Sequence, residues 1–250
     1  RYIAIISILQ RNISNMDLAG CFIKFGQLEH LTSFVEKGIL YCNTINYFAG
    51  LEDKKIRGDE NENVVDMVYM ESGEIILGKP EEDPVKNGIK MPFRDLLLTG
   101  KITEPFGNLY CLYKINFLEK PIGETFYINT KMSEFGEYFV LIHEPHEFLR
   151  RVKQKLTTLG LSFEGNPVQY LDLSKYTGKK SVFQKGLEYE YQQEYRIYIK
   201  NKTANPLSIE IGCIEDISIL CESTNIESIQ FKAHMKDDKT YTVLSNLKPK

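Results

Sequence analysis

Residues 183–200, FQKGLEYEYQQEYRIYIK, alternate apolar and polar side chains, which is the period of a β-strand. The odd positions from Tyr189 to Ile199 are tyrosine or isoleucine except for Gln193, and this composition favours a strand over a helix. The even positions are polar: Glu188, Glu190, Gln192, Glu194 and Arg196. The pattern predicts a strand with one face in the core. Its other face is either simply solvated or carries a reactive carboxylate.

Composition narrows the class of protein. The 250 residues are enough for one large domain or two small ones, and 15 tyrosines, 14 phenylalanines and no tryptophan suggest many strands. A formal net charge of −3 argues against a dedicated polyanion binder. The five cysteines are scattered without a Cys-x-x-Cys pair, so we expect no disulfide framework, no zinc site and a cytoplasmic location.

The first residues, RYIAIISILQ, are apolar but much shorter than the roughly 20 residues of a membrane span. No small-residue cleavage site follows, which argues against a signal peptide. We therefore expect no membrane association. Residues 1–20 are predicted to be an N-terminal extension, a strand or short helix packed on the main body.

The remaining elements predict a strand-rich α+β fold with two principal helices, forming a single domain over residues 1–250. The helices are predicted at 27–38, capped by Gly38, and at 143–160, with Pro145 in the first turn. The predicted strands lie at 23–26, 39–48, 108–117, 137–142 and 168–173, in a hairpin around residues 71–73, and in four short segments after residue 205.

Common catalytic motifs, including phosphate-binding loops, dinucleotide fingerprints and His-Glu-x-x-His, are absent from the sequence. Two polar clusters remain as candidate sites. One is the segment Gln192 to Glu194, where Arg196 on the same strand face would keep Glu194 ionised. The other is a loop after the aromatic segment 41–48, with the charged residues Glu52, Asp53, Arg57, Asp59, Glu60 and Glu62.

Gln192-x-Glu194 at a late strand resembles the Gln/Glu-x-Glu element of the ADP-ribosyltransferase superfamily. The preceding order is also similar: a basic residue in an early strand, then a helix, then a strand and aromatic residues. The matching positions are Lys24, Tyr41, Asn43, Tyr47 and Phe48. The chain has Lys24 where the superfamily has His or Arg, and it lacks the Ser-Thr-Ser element. These segments also look like bacterial proteins of toxin–antitoxin and phage-defence systems.

The resemblance implies split sheets around a cleft that binds NAD as a substrate. It implies that Glu194 is the catalytic carboxylate and that Gln192 orients the acceptor. The residues implied to bind NAD are Lys24, Tyr41, Asn43, Tyr47, Phe48 and Arg57, with Lys24 or Arg57 at the pyrophosphate. The acceptor would be a macromolecule, nucleic acid or protein, and an antitoxin or immunity protein would be a further partner.

The implied chemistry suits a fixed carboxylate. Breaking the bond between nicotinamide and ribose develops an oxocarbenium-like cation, as in glycoside cleavage. A carboxylate beside that carbon stabilises the cation, and electrostatic stabilisation of this kind is usually the largest catalytic contribution.

Two other functions fit the sequence. A metal-dependent nuclease could bind Mg²⁺ through the acidic loop, with Asp53, Asp59 and Glu62 joined by Glu190. A non-catalytic module that binds a partner would use the charged strand only as an edge. Basic stretches at 150–155 and 175–185 are compatible with a nucleic-acid acceptor or with ordinary solvated surface.

The enzymatic hypothesis makes specific structural expectations. Glu194 is expected on a strand that lines a cleft, and Arg57 is expected to turn toward that cleft, braced by Asp59 or Glu62. Replacing Glu194 with Gln is expected to change folding little. Replacing Gln193 with Ala is expected to be mild, because that side chain would face the other side of the strand.

Overall fold

The computed structural model describes residues 2–7, 20–51, 58–78, 83–104, 106–116, 123–224, 226–236 and 239–247. These residues form a strand-rich, mixed α/β fold with open sheets. The helices are α1 Leu28–Lys37, α2 Ile45–Gly50, α3 Pro84–Asn87 and α4 Pro145–Thr158. The strands are β1 Tyr2–Ser7, β2 Gly20–Gly26, β3 Ile39–Thr44, β4 Val64–Leu77, β5 Ile89–Lys101, β6 Asn108–Asn116, β7 Thr125–Phe126, β8 Tyr138–Ile142, β9 Ser162–Pro167, β10 Gln169–Leu171, β11 Gly178–Lys179, β12 Gln184–Gly186, β13 Glu194–Lys200, β14 Leu207–Glu210, β15 Ser218–Glu222, β16 Gln230–Lys236 and β17 Lys239–Leu247.

The largest sheet is built around β6. Its main path runs β14-β3-β6-β2-β8-β15, and β13 pairs with β6 and with β9. All of these pairings are antiparallel. Three smaller sheets accompany it, including β1-β17-β16-β7 and the long hairpin β4-β5 with β11.

The strands β2 and β3 share one edge of β6 and separate from each other along it. On one edge of β6, residues 108–113 pair with β13. On the opposite edge, β3 pairs with residues 108–109 and β2 with residues 113–116. The strands β3 and β2 thus pair with opposite ends of the same edge of β6, and both belong to one sheet.

Two helices cover one face of this sheet and form the largest core cluster. α1 contributes Leu31, Phe34 and Val35 from one stripe, and α4 contributes Phe148 and Val152. Gly38 ends α1 with a left-handed φ of 66°, as predicted. A side chain there would also collide with the carbonyl oxygen of Gly212. The two predicted principal helices are therefore confirmed to within a few residues.

The alternating segment 183–200 folds only partly as predicted. Residues 194–200 form β13, and Tyr195, Ile197 and Ile199 enter the core as expected. Residues 187–192 instead form a 3₁₀ helix, which ends at Gln193 in the left-handed region with φ 42° and ψ 46°. The prediction of one continuous strand was wrong there, so Glu188 and Glu190 are exposed and do not share the face of Glu194.

Two further local predictions need correction. Residues 71–73 lie inside the continuous strand β4, whose residues from Val64 to Leu77 pair with β5. Residues 45–48 are helical, because the Thr44 hydroxyl accepts the amide of Tyr47 and caps α2. Residues 2–7 form β1 and pair with β17, which is the strand alternative of the two predicted for residues 1–20.

None of the described helices is long and apolar enough to cross a membrane.

The aromatic contact between the helices and the sheet supplies a stability test. Phe148 is fully buried and lies 6.3 Å from the Phe22 ring and 6.0 Å from the Phe34 ring. Phe148→Ala should lower the free energy of unfolding by about 3 to 5 kcal/mol, because it removes buried apolar area and leaves a cavity. Urea denaturation measures this change.

The matched control is Leu159→Ala at the end of the same helix, where the side chain is 49% exposed. Its effect should be about 0.5 kcal/mol or less. Equal effects of the two substitutions would mean that α4 does not pack on the sheet through Phe148.

Candidate functional site

All the buried charged side chains of the described residues lie in one place, beside the first half of β13. They come from three segments: residues 58–62, residues 180–185 and the start of β13. We call them the buried charge cluster: Asp59, Glu62, Lys180, Lys185, Glu194 and Arg196. Three carboxylates face three cations, so the formal charge of the cluster is zero. This balance is what the burial of so many charges requires.

Arg196 is the centre of the cluster and is only 1% exposed. Its guanidinium makes a bidentate pair with Glu62 at 2.5 and 2.8 Å, and its Nε donates to Glu194 Oε1 at 2.8 Å. It also donates to the Val182 carbonyl. One side chain thus ties residues 62 and 182 to β13, since the planar guanidinium matches carboxylate geometry.

Glu194, the predicted catalytic residue, is 6% exposed and fully engaged. Lys185 Nζ donates to its Oε2 at 3.2 Å, and the Cys111 thiol is a further partner. Burial opposes ionisation, but the charges of Arg196 and Lys185 outweigh it and hold the pKa of Glu194 well below its usual range. The expected pairing of Glu194 with Arg196 is therefore present, and the carboxylate is ionised.

Gln192, the second predicted catalytic residue, is also part of this arrangement. Its side-chain oxygen accepts Lys185 Nζ at 2.8 Å, so one ammonium holds both Gln192 and Glu194. The 3₁₀ helix that carries Gln192 is fixed to the acidic loop because the Tyr189 hydroxyl donates to the Gly58 carbonyl. The side chains of Gln192 and Glu194 are held together because both accept hydrogen bonds from Lys185, and the two residues do not lie on one strand.

Two atoms of the cluster have no hydrogen-bond partner among the described residues: Asp59 Oδ2 and Lys180 Nζ. Burial and the nearby Glu62 charge raise the pKa of Asp59. Burial lowers the pKa of Lys180 even though Glu62 and Asp59 favour its charged form. These two groups are the least compensated part of the cluster and have the capacity to bind a further polar group.

The predicted NAD contacts are distributed over both faces of the sheet. Ile23 lies opposite Tyr113 in β6, and Tyr113 lies opposite Glu194, so these three side chains share a face. Lys24 therefore projects to the other face, where its Nζ lies 4.4 Å from the Tyr110 ring. The Lys24 ammonium also donates to the Cys111 carbonyl at 2.9 Å.

The other predicted contacts lie nearer the cluster. In the strand pairing, Asn43 lies opposite Leu109 and Arg196 lies opposite Cys111. Leu109 and Cys111 are two residues apart in β6 and so point to the same face of the sheet. Asn43, and Tyr41 two residues before it, therefore lie on the same face as Arg196. Tyr47 and Phe48 are in α2 with their rings 5.4 Å apart, and the Phe48 carbonyl accepts the Asp59 amide. Arg57 lies outside the described residues. Its predicted bracing by Asp59 or Glu62 therefore lies outside the described residues too, and Glu62 itself binds Arg196.

The acidic loop does not assemble a metal site within the part of the chain that is described. No group of three or more His, Cys, Asp or Glu side chains there could hold an ion. Glu62 is committed to Arg196, Glu190 is exposed on the 3₁₀ helix, and Asp53 falls outside the described ranges.

Sequence reasoning missed Lys180, Lys185 and Cys111. The two lysines belong to the stretch 175–185, which the sequence suggested was solvated or bound nucleic acid, yet both are buried. The signal that could have found them is electrostatic: a core strand with Glu194 and Arg196 beside an acidic loop needs further cations for neutrality.

Comparisons with known proteins give no match: no family model fits the chain, and neither the curated proteins nor the solved structures contain a significant match.

Because Glu194 belongs to the buried charge cluster, the expectation that Glu194→Gln changes folding little has to be corrected. The substitution removes one of three buried negative charges, so the free energy of unfolding at pH 7 should fall by about 3 kcal/mol. Glu190→Gln, on the exposed side of the same segment, is the control and should change it by about 0.5 kcal/mol or less.

The pH dependence of this difference has a definite sign. Because the pKa of Glu194 is lowered by folding, its contribution is complete above the ordinary value of 4.5 and is lost as pH falls below it. The gap between wild type and Glu194→Gln should therefore narrow below pH 4.5. Equal stabilities at pH 7 would show that Glu194 is not held as an ion pair.

Proposed function

We propose that this chain is an NAD-dependent ADP-ribosyltransferase that modifies a macromolecule, as a toxin or anti-phage defence protein of a bacterium. The observation that carries the proposal is the sheet geometry around Glu194. The ionised carboxylate begins β13, which lies on one edge of β6, while β3 and β2 pair with opposite ends of the other edge. Such an arrangement is consistent with the split sheets and the Gln-x-Glu element that the resemblance implies.

The electrostatics of the cluster suit the proposed reaction. A carboxylate that stabilises a ribosyl cation must be ionised and fixed before the bond breaks, because reorganisation during reaction would cost energy. Arg196 and Lys185 fulfil both conditions at Glu194. The buried surroundings also strengthen any interaction between the carboxylate and a developing positive charge.

The proposal requires a local opening, since Glu194 is almost fully covered in this structure. Lys185 is the cation closest to its Oε2 and is better placed than Lys24, which lies across the sheet. In the proposed complex the Lys185 ammonium turns to the NAD pyrophosphate, an anion that suits a lysine. This exchange removes one of the two donors at Oε2, the other being Arg196 Nη2, and lets Oε2 accept the ribose 2′-hydroxyl. Gln192 is released from Lys185 at the same time to orient the acceptor.

A non-catalytic binding module is the second candidate, and the same cluster favours it. Every oxygen of Glu194 already has a partner within a neutral, buried set of charges. Ion pairs that only stabilise a fold are saturated with partners in this way. In a module that only binds a partner protein, Glu194 would need no role beyond this stabilisation.

The two candidates differ in whether NAD is consumed. Purified protein should release nicotinamide from NAD in the presence of bacterial extract, and the ADP-ribose label should appear on a macromolecule. Glu194→Gln should slow this release about a hundred- to thousandfold, because one preorganised electrostatic contact is lost. Glu190→Gln should change the rate of nicotinamide release by no more than about twofold, because it replaces an exposed side chain on the surface.

Each variant is assayed at a temperature at which circular dichroism shows it folded, so that lost activity is not lost structure. Folded wild-type protein that consumes no NAD with any extract would overturn the enzymatic proposal and leave the binding module. NAD consumption that survives Glu194→Gln would keep the enzyme and move its catalytic residue elsewhere.

A further inference from the structure

A cavity of about 420 Å³ opens beside Gln193, on the sheet face that also carries Glu194. Tyr113 in β6 forms part of its wall and lies directly opposite Glu194 in the strand pairing. The residues that line the cavity do not include Glu194 itself. The cavity is therefore a separate feature next to the buried charge cluster.

The walls of the cavity are aromatic. Tyr113, Phe126, Tyr127 and Tyr191 contribute four rings to its lining. Phe126 is fixed from behind by stacking on Phe231, with 5.3 Å between ring centroids. Rings held in this way present flat, weakly polar surfaces, against which another planar ring packs well.

Two carboxamides and a nearby cation complete the site. Gln193 and Asn129 line the cavity: the Asn129 Oδ1 already accepts the Lys131 amide at 3.0 Å, so Asn129 offers donors, whereas Gln193 offers both donors and an acceptor. None of the lining side chains is charged. Lys131 follows the lining residue Thr130, and its Nζ lies 5.0 Å from the centroid of the Tyr191 ring, which places a positive charge beside one wall of the cavity.

The backbone at Gln193 is held in an unfavourable conformation. Its φ of 42° and ψ of 46° lie in the left-handed region, which costs a residue with a side chain about 1 kcal/mol or more. The conformation is fixed because the Gln193 carbonyl accepts the Lys114 amide at 2.8 Å and the Gln193 amide donates to the Glu190 carbonyl. The strain turns the glutamine out of the strand and places its carboxamide at the cavity.

We propose that this cavity binds a nucleobase. Aromatic walls supply stacking that tolerates any base, and carboxamides are the side chains that pair with the hydrogen-bonding edge of a base. The adjacent Lys131 suits a phosphate attached to that base. A purely aliphatic ligand would leave the Gln193 carboxamide unpaired, and an anion alone would find no charged group in the lining. The volume lies at the lower end of the range for small-molecule sites, as a single nucleotide requires.

The base comes either from a free nucleotide or from a single strand of nucleic acid. In both cases it would lie close to the start of β13, one residue from Glu194. The inference rests on the cavity alone and holds whether or not the chain consumes NAD.

Binding is measured in the absence of NAD. Saturation-transfer NMR with AMP and UMP tests free nucleotides, and fluorescence anisotropy with labelled oligo(dA) and oligo(dT) of about 12 nucleotides tests single strands. Tyr127→Leu removes a ring that is 53% exposed, so folding should be retained. Gln193→Gly removes the carboxamide and relieves the backbone strain, so this variant should fold at least as well as wild type.

The binding constant should weaken about tenfold in each of these variants, because stacking or edge pairing is lost. Gln193→Asn should retain binding, because it keeps a carboxamide and tolerates the left-handed conformation. Tyr69→Leu, on the β4-β5 hairpin away from the cavity, is the matched aromatic control and should leave binding unchanged.

Binding of AMP or UMP that shows this variant pattern identifies a free nucleotide as the ligand. The same pattern with oligonucleotides alone identifies a base within a single strand. Absence of binding to all four probes would overturn the proposal. Binding that Tyr127→Leu and Gln193→Gly leave unchanged would overturn it too, since the base would then bind elsewhere.

Discussion

The burial of one guanidinium determines much of this structure. Arg196 lies in β13 of the largest sheet, between β6 and β9, with almost no contact with water. A charge in that position is tolerated only when neighbouring groups replace its hydration, and Glu62 and Glu194 do so with charge-assisted hydrogen bonds. Residues 58–62 and 180–185 have little regular structure of their own, and their position follows from the need to complete this set of charges.

The need to neutralise the buried Arg196 charge bears on both candidate functions. A charge cluster of zero net charge keeps Glu194 ionised while excluding solvent, which prepares a carboxylate for electrostatic catalysis and equally suits a structural role. The difference between the two lies in Lys185, whose ammonium holds Gln192 and Glu194 together. If that ammonium exchanges with a ligand phosphate, the carboxylate becomes available; if it does not, the cluster is a structural brace. The aromatic cavity on the same sheet face supplies a binding surface next to this point.

Sequence patterns predicted those parts of the fold whose causes are local. The apolar stripes of α1 and α4, the cap at Gly38 and the core face of β13 depend on side chains close in sequence. Residues 187–192 could not be assigned in this way, because alternating Tyr and Glu also fit a short 3₁₀ helix whose Tyr189 is buried against Gly58. The continuation of β4 through residues 71–73 depends on pairing with β5 along its length, and the burial of Lys185 depends on charges up to 126 residues away in the sequence, at Asp59. Local propensity contains neither fact.

We expect Arg196 and Glu62 to be energetically coupled and thereby to fix the acidic loop to β13. A double-mutant cycle with Glu62→Gln and Arg196→Met, measured by urea denaturation at pH 7, tests this claim directly. We expect the double mutant to be more stable than the sum of the single effects implies, with a coupling energy of about 2 to 3 kcal/mol. A coupling energy within about 0.5 kcal/mol of zero, as for distant independent sites, would contradict it.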